Sequence, residues 1–189
     1  MLHVIHDAAR HDRAQLLTAS MAGIDHQLWP AVQAQDFATG CAQAHASIAA
    51  HAASQGWPQV SIAEDDLQWS ALGAWQYYCA AAQDLPADWD LYLGGISSGT
   101  PWPTAPGLRL QRLVAFTGLH LYSVSQKCYT LLSGCPPRQH LDRWLSSQRL
   151  QIYVCHPMVA RQASGYSANK GQVVDYTALF AAYEFWSRT

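Results

Sequence analysis

The chain has 189 residues, half of them hydrophobic and only 13% charged, with a net charge of −2. That composition buries a core and excludes a disordered segment, while eleven Lys+Arg with no basic run argue against a broad electrostatic footprint for nucleic acid. Five cysteines (Cys41, Cys79, Cys128, Cys135, Cys155), odd in number and without a Cys-x-x-Cys pair, argue against a disulfide framework and a structural zinc site. No apolar stretch approaches the roughly 18 residues that span a bilayer, and the first six residues carry no signal-peptide pattern. The expectation is a soluble, cytoplasmic, single-domain protein over residues 1–189.

Residues 1–5 form a short apolar run that predicts a buried first strand. A polar turn over residues 6–13 follows, with Asp7 or Asp12 as N-cap, and Leu16, Leu17, Met21 and Ile24 then fall near helical spacing. Residues 29–32 read as a second extended piece. Over residues 39–54, Cys41, His45, Ile48, Ala49 and Ala52 recur at steps of three and four, which predicts a helix that stops at Gly56-Trp57-Pro58. Val60-Ser61-Ile62-Ala63 predicts a strand running into Glu64-Asp65-Asp66.

An Ala-rich helix is predicted over residues 69–83, and a strand over 88–95 that ends in glycine. Residues 96–107, rich in Ser, Gly, Thr and Pro, read as a long loop. Residues 114–125 look extended, 125–133 and 141–150 helical, and 151–155 extended again. The stretch after Pro157 is polar through Lys170, and residues 175–186 form an aromatic helical segment. Strands alternating with helices predict an α/β domain with a mostly parallel central sheet flanked by helices. Ligands in such sheets bind beyond the carboxyl ends of the strands, here at His6, Glu64–Asp66, Gly94 and His156.

Three adjacent carboxylates at the end of a buried strand repel one another, and each is costly to desolvate unpaired. They make sense there if a hard divalent cation is held, since Mn²⁺ and Mg²⁺ prefer carboxylate oxygens with substrate phosphates completing the shell; the alternative is a solvated acidic turn. Period-two geometry would send Glu64 and Asp66 to one side and Asp65 to the other. Arg10 and Arg13 are placed to meet phosphate or solvent. His45 is either a core histidine or part of the site.

The ordered elements Val4-Ile5 with Arg10 and Arg13, Pro30-Ala31-Val32, Gly40-Cys41 with His45, the strand ending Glu64-Asp65-Asp66, Trp89-Asp90-Leu91-Tyr92-Leu93-Gly94, and residues 116–125 resemble glycosyltransferase family 25, the lipooligosaccharide and collagen galactosyltransferase type. Pro157 with Gln162 and Ser167 is similar to the family's closing element. Ala44 stands in place of a Ser, and Gln139 in place of a carboxylate.

The resemblance implies a GT-A-like (Rossmann-like) fold, with a donor-binding part over about residues 1–95 and an acceptor and closing part over 96–189. It implies transfer of a hexose from a UDP-sugar to an acceptor hydroxyl with inversion, aided by Mn²⁺ or alternatively Mg²⁺. Donor-binding candidates are His6, Arg10, Arg13, Cys41, His45, Glu64 and Asp65. Metal candidates are Asp66, Glu64 and His156, the last being alternatively a turn cap before Pro157. A glutamine cannot act as the base that inversion needs. Asp142, three residues beyond Gln139, is the expected catalytic base, with His140 and Asp90 behind it; alternatively Asp142 pairs with Arg138 or Arg143. Acceptor-binding candidates are Trp102, Gln162 and Ser167. Trp102 would stack on a sugar ring or base, pack within its loop, or ride on a lid. The acceptor would be a saccharide, a hydroxylated protein side chain or a hydroxymethylated nucleic-acid base. Two other functions compete: a degenerate member that binds nucleotide-sugar or saccharide without turnover, and a metal-dependent phosphoesterase.

Overall fold

A computed structural model describes residues 1–102 and 109–184. The apolar start of the chain becomes β1 (Leu2–His6), which leads through the polar turn into α1 (His11–Ser20) and back to β2 (His26–Pro30). Asp36 caps α2 (Phe37–Ser54), its carboxylate accepting from the Thr39 N–H. The predicted stripe of α2 faces inward, with His45, Ile48, Ala49 and Ala52 all buried. Next come β3 (Gln59–Glu64), a short β4 (Leu67–Trp69) and α3 (Ala74–Ala81). The helix expected from residue 69 begins only at Ala74, because Gly73 sits in the left-handed region (φ 81°).

Beyond α3 the chain forms β5 (Leu91–Leu93), β6 (Ser98–Pro101), β7 (Leu110–Thr117), β8 (Leu121–Ser125), α4 (Tyr129–Ser133), α5 (Leu141–Ser146) and β9 (Ile152–Cys155). The stretch expected as one extended piece over 114–125 is thus two strands. The expected loop over 96–107 contains β6, and its remainder at 103–107 lies outside the described residues. The polar stretch after Pro157 contains three strands, β10 (Ala160–Gln162), β11 (Gly165–Ser167) and β12 (Gln172–Val174), before α6 (Thr177–Glu184). Residues 185 and 186 of the expected aromatic helix lie outside the described residues.

The central sheet has eight strands in the order β2-β1-β3-β8-β5-β9-β7-β6. β1 pairs in parallel with both β2 and β3, and β5 in parallel with β9. β8 and β7 run against their neighbours, so the other six strands share one direction. This is the predicted α/β architecture with a large, mostly parallel sheet.

Alternation along the strands divides the core into two layers. Ile62, Leu91 and Leu93 pack with Ile48 and Ala52 of α2 and with Leu132 and Leu145 of α4 and α5. Ala63 and Tyr92 face the opposite layer with Leu17 of α1 and Tyr78 of α3. Tyr78 and Tyr92 stack at 4.3 Å, and each phenol donates to the other's backbone carbonyl.

One close approach ties the last third of the chain to the sheet. The N–H groups of Val159 and Ala160 donate to the Gly94 carbonyl, and a Cβ at Gly95 would run into the Ala160 carbonyl and crowd His120 Nε2. β10 then pairs antiparallel with β4. Among the described residues no helix is long and apolar enough to cross a membrane.

Truncating Ile48, fully buried between α2 and the sheet, leaves a cavity in a close-packed layer. Ile48→Ala should cost about 2–5 kcal/mol. The urea midpoint should fall with no change in m-value; an unchanged midpoint would mean that α2 does not pack as described.

Candidate functional site

The carboxyl ends of β1 and β3 lie side by side, with Ile5 in register with Glu64. They open onto a cavity of about 630 Å³ whose walls also draw on the start of α2, the turn before β8, the start of α5, and residues after β10.

The strand ends at Glu64, and the two following aspartates turn inward together, so the expected alternation of Asp65 and Asp66 does not persist. Arg13 spans both: its Nη1 lies 2.5 Å from Asp65 Oδ1 and its Nη2 3.0 Å from Asp66 Oδ2. Asp65 is saturated, since its Oδ2 also receives His6 Nδ1 at 2.9 Å and the Asp7 N–H at 3.2 Å. His6 thus acts from behind the cavity, as a clamp on Asp65.

Asp66 is held differently. Gln162 Nε2 donates to its Oδ2 at 2.8 Å, while its Oδ1 is buried with no hydrogen-bond partner. Burial, reinforced by Glu64, pushes the Asp66 carboxyl up to about 7.

Glu64 is partly exposed to the cavity, with 26% of its side chain accessible. Its Oε1 lies 3.4 Å from His45 Nε2 and 3.9 Å from Cys41 Sγ. Burial pushes the Glu64 carboxyl up, but the His45 imidazole outweighs it, and the group lies below the usual carboxylate range. The 3.4 Å approach falls outside hydrogen-bond geometry, so His45 Nε2 is itself buried without a bond. Burial, then Glu64, pushes the Cys41 thiol well above its usual range.

His120, in the turn before β8, belongs to the same wall and was not among the expected site residues. Its Nε2 lies 3.2 Å from the Ala160 carbonyl, its Nδ1 has no partner, and burial lowers its pKa. A histidine next to a Gly-Leu turn between two strands carried no distinguishing sequence signal.

Arg10 borders the cavity, held by two bonds to Asp12 and by donation to the Tyr166 carbonyl at 2.9 Å. His140 and Asp142 border it from α5. Asp142 Oδ2 accepts from the Gly118 N–H at 2.8 Å and Oδ1 from the Arg143 N–H at 2.7 Å; among the described residues it forms no ion pair with Arg138 or Arg143. Gln162 and Ser167 also border the cavity.

Three expected site residues lie elsewhere. Asp90 precedes β5 and so emerges at the opposite end of the strand. Its oxygens are taken by the Gln151 N–H at 2.7 Å and by Lys127 Nζ at 2.9 Å. His156 follows β9, and β8 and β5 stand between that strand and β3; at about 4.8 Å per strand this puts it about 14 Å from the carboxylates. Its carbonyl accepts from Tyr77 Oη. Trp102 follows the edge strand β6, 47% exposed, with the Arg112 guanidinium 4.6 Å above its ring. None of the three borders the cavity.

No protein-family model matches the chain, and no curated protein matches it in sequence. No family match therefore supports the family 25 resemblance specifically. Solved structures are similar in fold. A197 from STIV has a TM-score of 0.50 at 9% identity, over 92% of this chain and 91% of that one. A mannose-1-phosphate geranyltransferase from Thermus thermophilus has a TM-score of 0.50 at 10% identity, over 81% of this chain and 58% of that one. A glycosyltransferase involved in the glycosylation of the major capsid of PBCV-1 has a TM-score of 0.49 at 8% identity, over 97% and 98%. Likeness at these identities concerns the backbone alone: the chain has a mixed α/β fold with a large, mostly parallel central sheet flanked by helices, as the first two of these structures also have.

Proposed function

We propose that the protein transfers a hexose from a UDP-sugar to an acceptor hydroxyl, with inversion. The observation that carries this reading is the buried Asp66 carboxylate, which heads a cavity of about 630 Å³ and keeps one oxygen unpaired. A cation is the partner such an oxygen lacks. Glu64 and Asp66 fit a hard divalent ion, because each retains an oxygen free of any hydrogen bond to nitrogen; Asp65 does not fit, because both of its oxygens are taken. Bound Mn²⁺ or Mg²⁺ would supply Lewis-acid stabilisation of a leaving diphosphate.

The chain's own residues do the rest of the work. Arg13 and Gln162 fix the Asp66 carboxylate in place, and Arg10 adds positive charge at the rim for the phosphates. Asp142, steadied by the Gly118 N–H, takes the acceptor proton as general base. A saccharide hydroxyl is the acceptor we favour. A second reading, binding of nucleotide-sugar without turnover, is favoured by one observation: both Asp142 oxygens already accept backbone N–H groups.

Release of UDP from a panel of UDP-hexoses separates the two, since it needs no acceptor. Release should require Mn²⁺, stop in EDTA, and fall about 100-fold or more in Asp66→Asn. Asp142→Asn should bind UDP as wild type does yet fail in transfer. Absence of UDP binding by calorimetry in the presence of Mn²⁺ would remove the transferase reading.

The raised pKa of Asp66 has a thermodynamic counterpart. The folded protein keeps this proton up to about pH 7, whereas an unfolded aspartate releases it near 3.8. Between those values the folded state binds more protons, so stability falls as pH rises, by on the order of 4 kcal/mol at most. In chelator-treated protein, Tm should fall from pH 5 to pH 8 and fall less in Asp66→Asn. Added Mn²⁺ at pH 8 should restore Tm in wild type but not in the variant. Parallel curves for the two proteins would contradict the assignment.

A further inference from the structure

Cys41 and His45 stand four residues apart on α2, so their side chains share one face of the helix and both point at the end of β3. There they meet Glu64. Cys41 Sγ, His45 Nε2 and a Glu64 carboxylate oxygen all lie within 4.8 Å of one another, with Sγ–Oε1 at 3.9 Å and Nε2–Oε1 at 3.4 Å. Tetrahedral zinc, with bonds of about 2.0–2.3 Å to O, N and S, requires ligand atoms about 3.3–3.6 Å apart. Small side-chain adjustments close the difference.

The trio has the features of an incomplete coordination shell. His45 is 1% exposed in its side chain and its Nε2 has no hydrogen-bond partner, an expensive arrangement for a buried imidazole. Its other nitrogen, Nδ1, lies 3.0 Å from the phenol of fully buried Tyr122. In the tautomer where Nδ1–H donates to Tyr122 Oη, the Nε2 lone pair is left free for a metal, as the outer-shell partner of a metal-bound histidine would arrange it.

We propose that Cys41, His45 and Glu64 form a zinc site, with three protein ligands and a fourth position open to the cavity. A mixed S, N, O donor set selects a borderline-soft ion over Mn²⁺ or Mg²⁺, which favour oxygen ligands alone. The site needs no Cys-x-x-Cys pair, because a helix turn and a strand end supply the ligands. It is distinct from the cation position at Asp66 but shares Glu64 with it, so the two ions compete for that carboxylate. The inference does not use the transferase reading, and its test needs no sugar nucleotide.

Co²⁺ reports the ligands directly. Titrated into the metal-free protein, it should bind one equivalent and give a thiolate-to-cobalt charge-transfer band with the intense visible bands of tetrahedral cobalt; Zn²⁺ should bleach both. Cys41→Ser should abolish the charge-transfer band and Cys79→Ser should leave it intact. His45→Gln should weaken binding about tenfold or more, as should Tyr122→Phe through its effect on the imidazole. If Cys41→Ser does not fold, thiol labelling of wild type decides: Zn²⁺ should protect Cys41 and leave Cys79 reactive, as mapped on peptides. Weak octahedral spectra, a charge-transfer band that survives in Cys41→Ser, or Cys41 labelled equally with and without Zn²⁺ would each overturn the proposal.

Discussion

The arrangement of this site depends on one guanidinium. Three consecutive carboxylates end a buried strand, and two of them, Asp65 and Asp66, are under 5% exposed. Unpaired, they would cost several kcal/mol each to desolvate. Arg13 is the counterion that reaches both, through separate nitrogens of one planar group. That fork ties α1 to the end of β3, and it also divides the acidic run by role. Both Asp65 oxygens accept from protein donors, one of the two Asp66 oxygens does, and Glu64 makes no bond to the fork. Removing the arginine would leave two buried carboxyl groups, with His6 and Gln162 as the remaining side-chain donors to them among the described residues.

Much of the architecture was legible. Apolar runs of four or five residues marked β1, β3 and β9, and the Cys41-His45-Ile48-Ala52 spacing marked the buried face of α2, because both patterns reflect a single packing environment. The acidic run was legible as the end of β3, either as a candidate site or as a solvated acidic turn; the burial of Asp65 and Asp66 removes the second. The short strands β4, β10, β11 and β12 were not. Three-residue strands carry too little periodicity to read, and β4 and β10 pair across more than ninety residues.

His156 was expected at the site because it follows a strand, and sequence does not say which strands are neighbours; Asp90 was expected as a spare carboxylate and Trp102 as a stacking ring, and neither residue type carries a position in the sheet. Inserting β8 between β3 and β5 moves His156 away from the carboxylates and brings His120 up to them. Asp142 reaches the cavity by a different route. Its α5 packs under β7, and the Gly118 N–H at the end of that strand receives its carboxylate.

The bond from Gln162 to Asp66 spans 96 residues, and the Arg13 bonds span about 52. Loop closure over such distances must be met before any of these contacts stabilises the chain, and topologies built on long-range pairing fold slowly for that reason. The acidic strand end is thus closed by two loops of different length: α1 brings Arg13 to both aspartates over about 52 residues, and β10 adds the Gln162 bond to Asp66 over 96, the entropically costlier closure of the two.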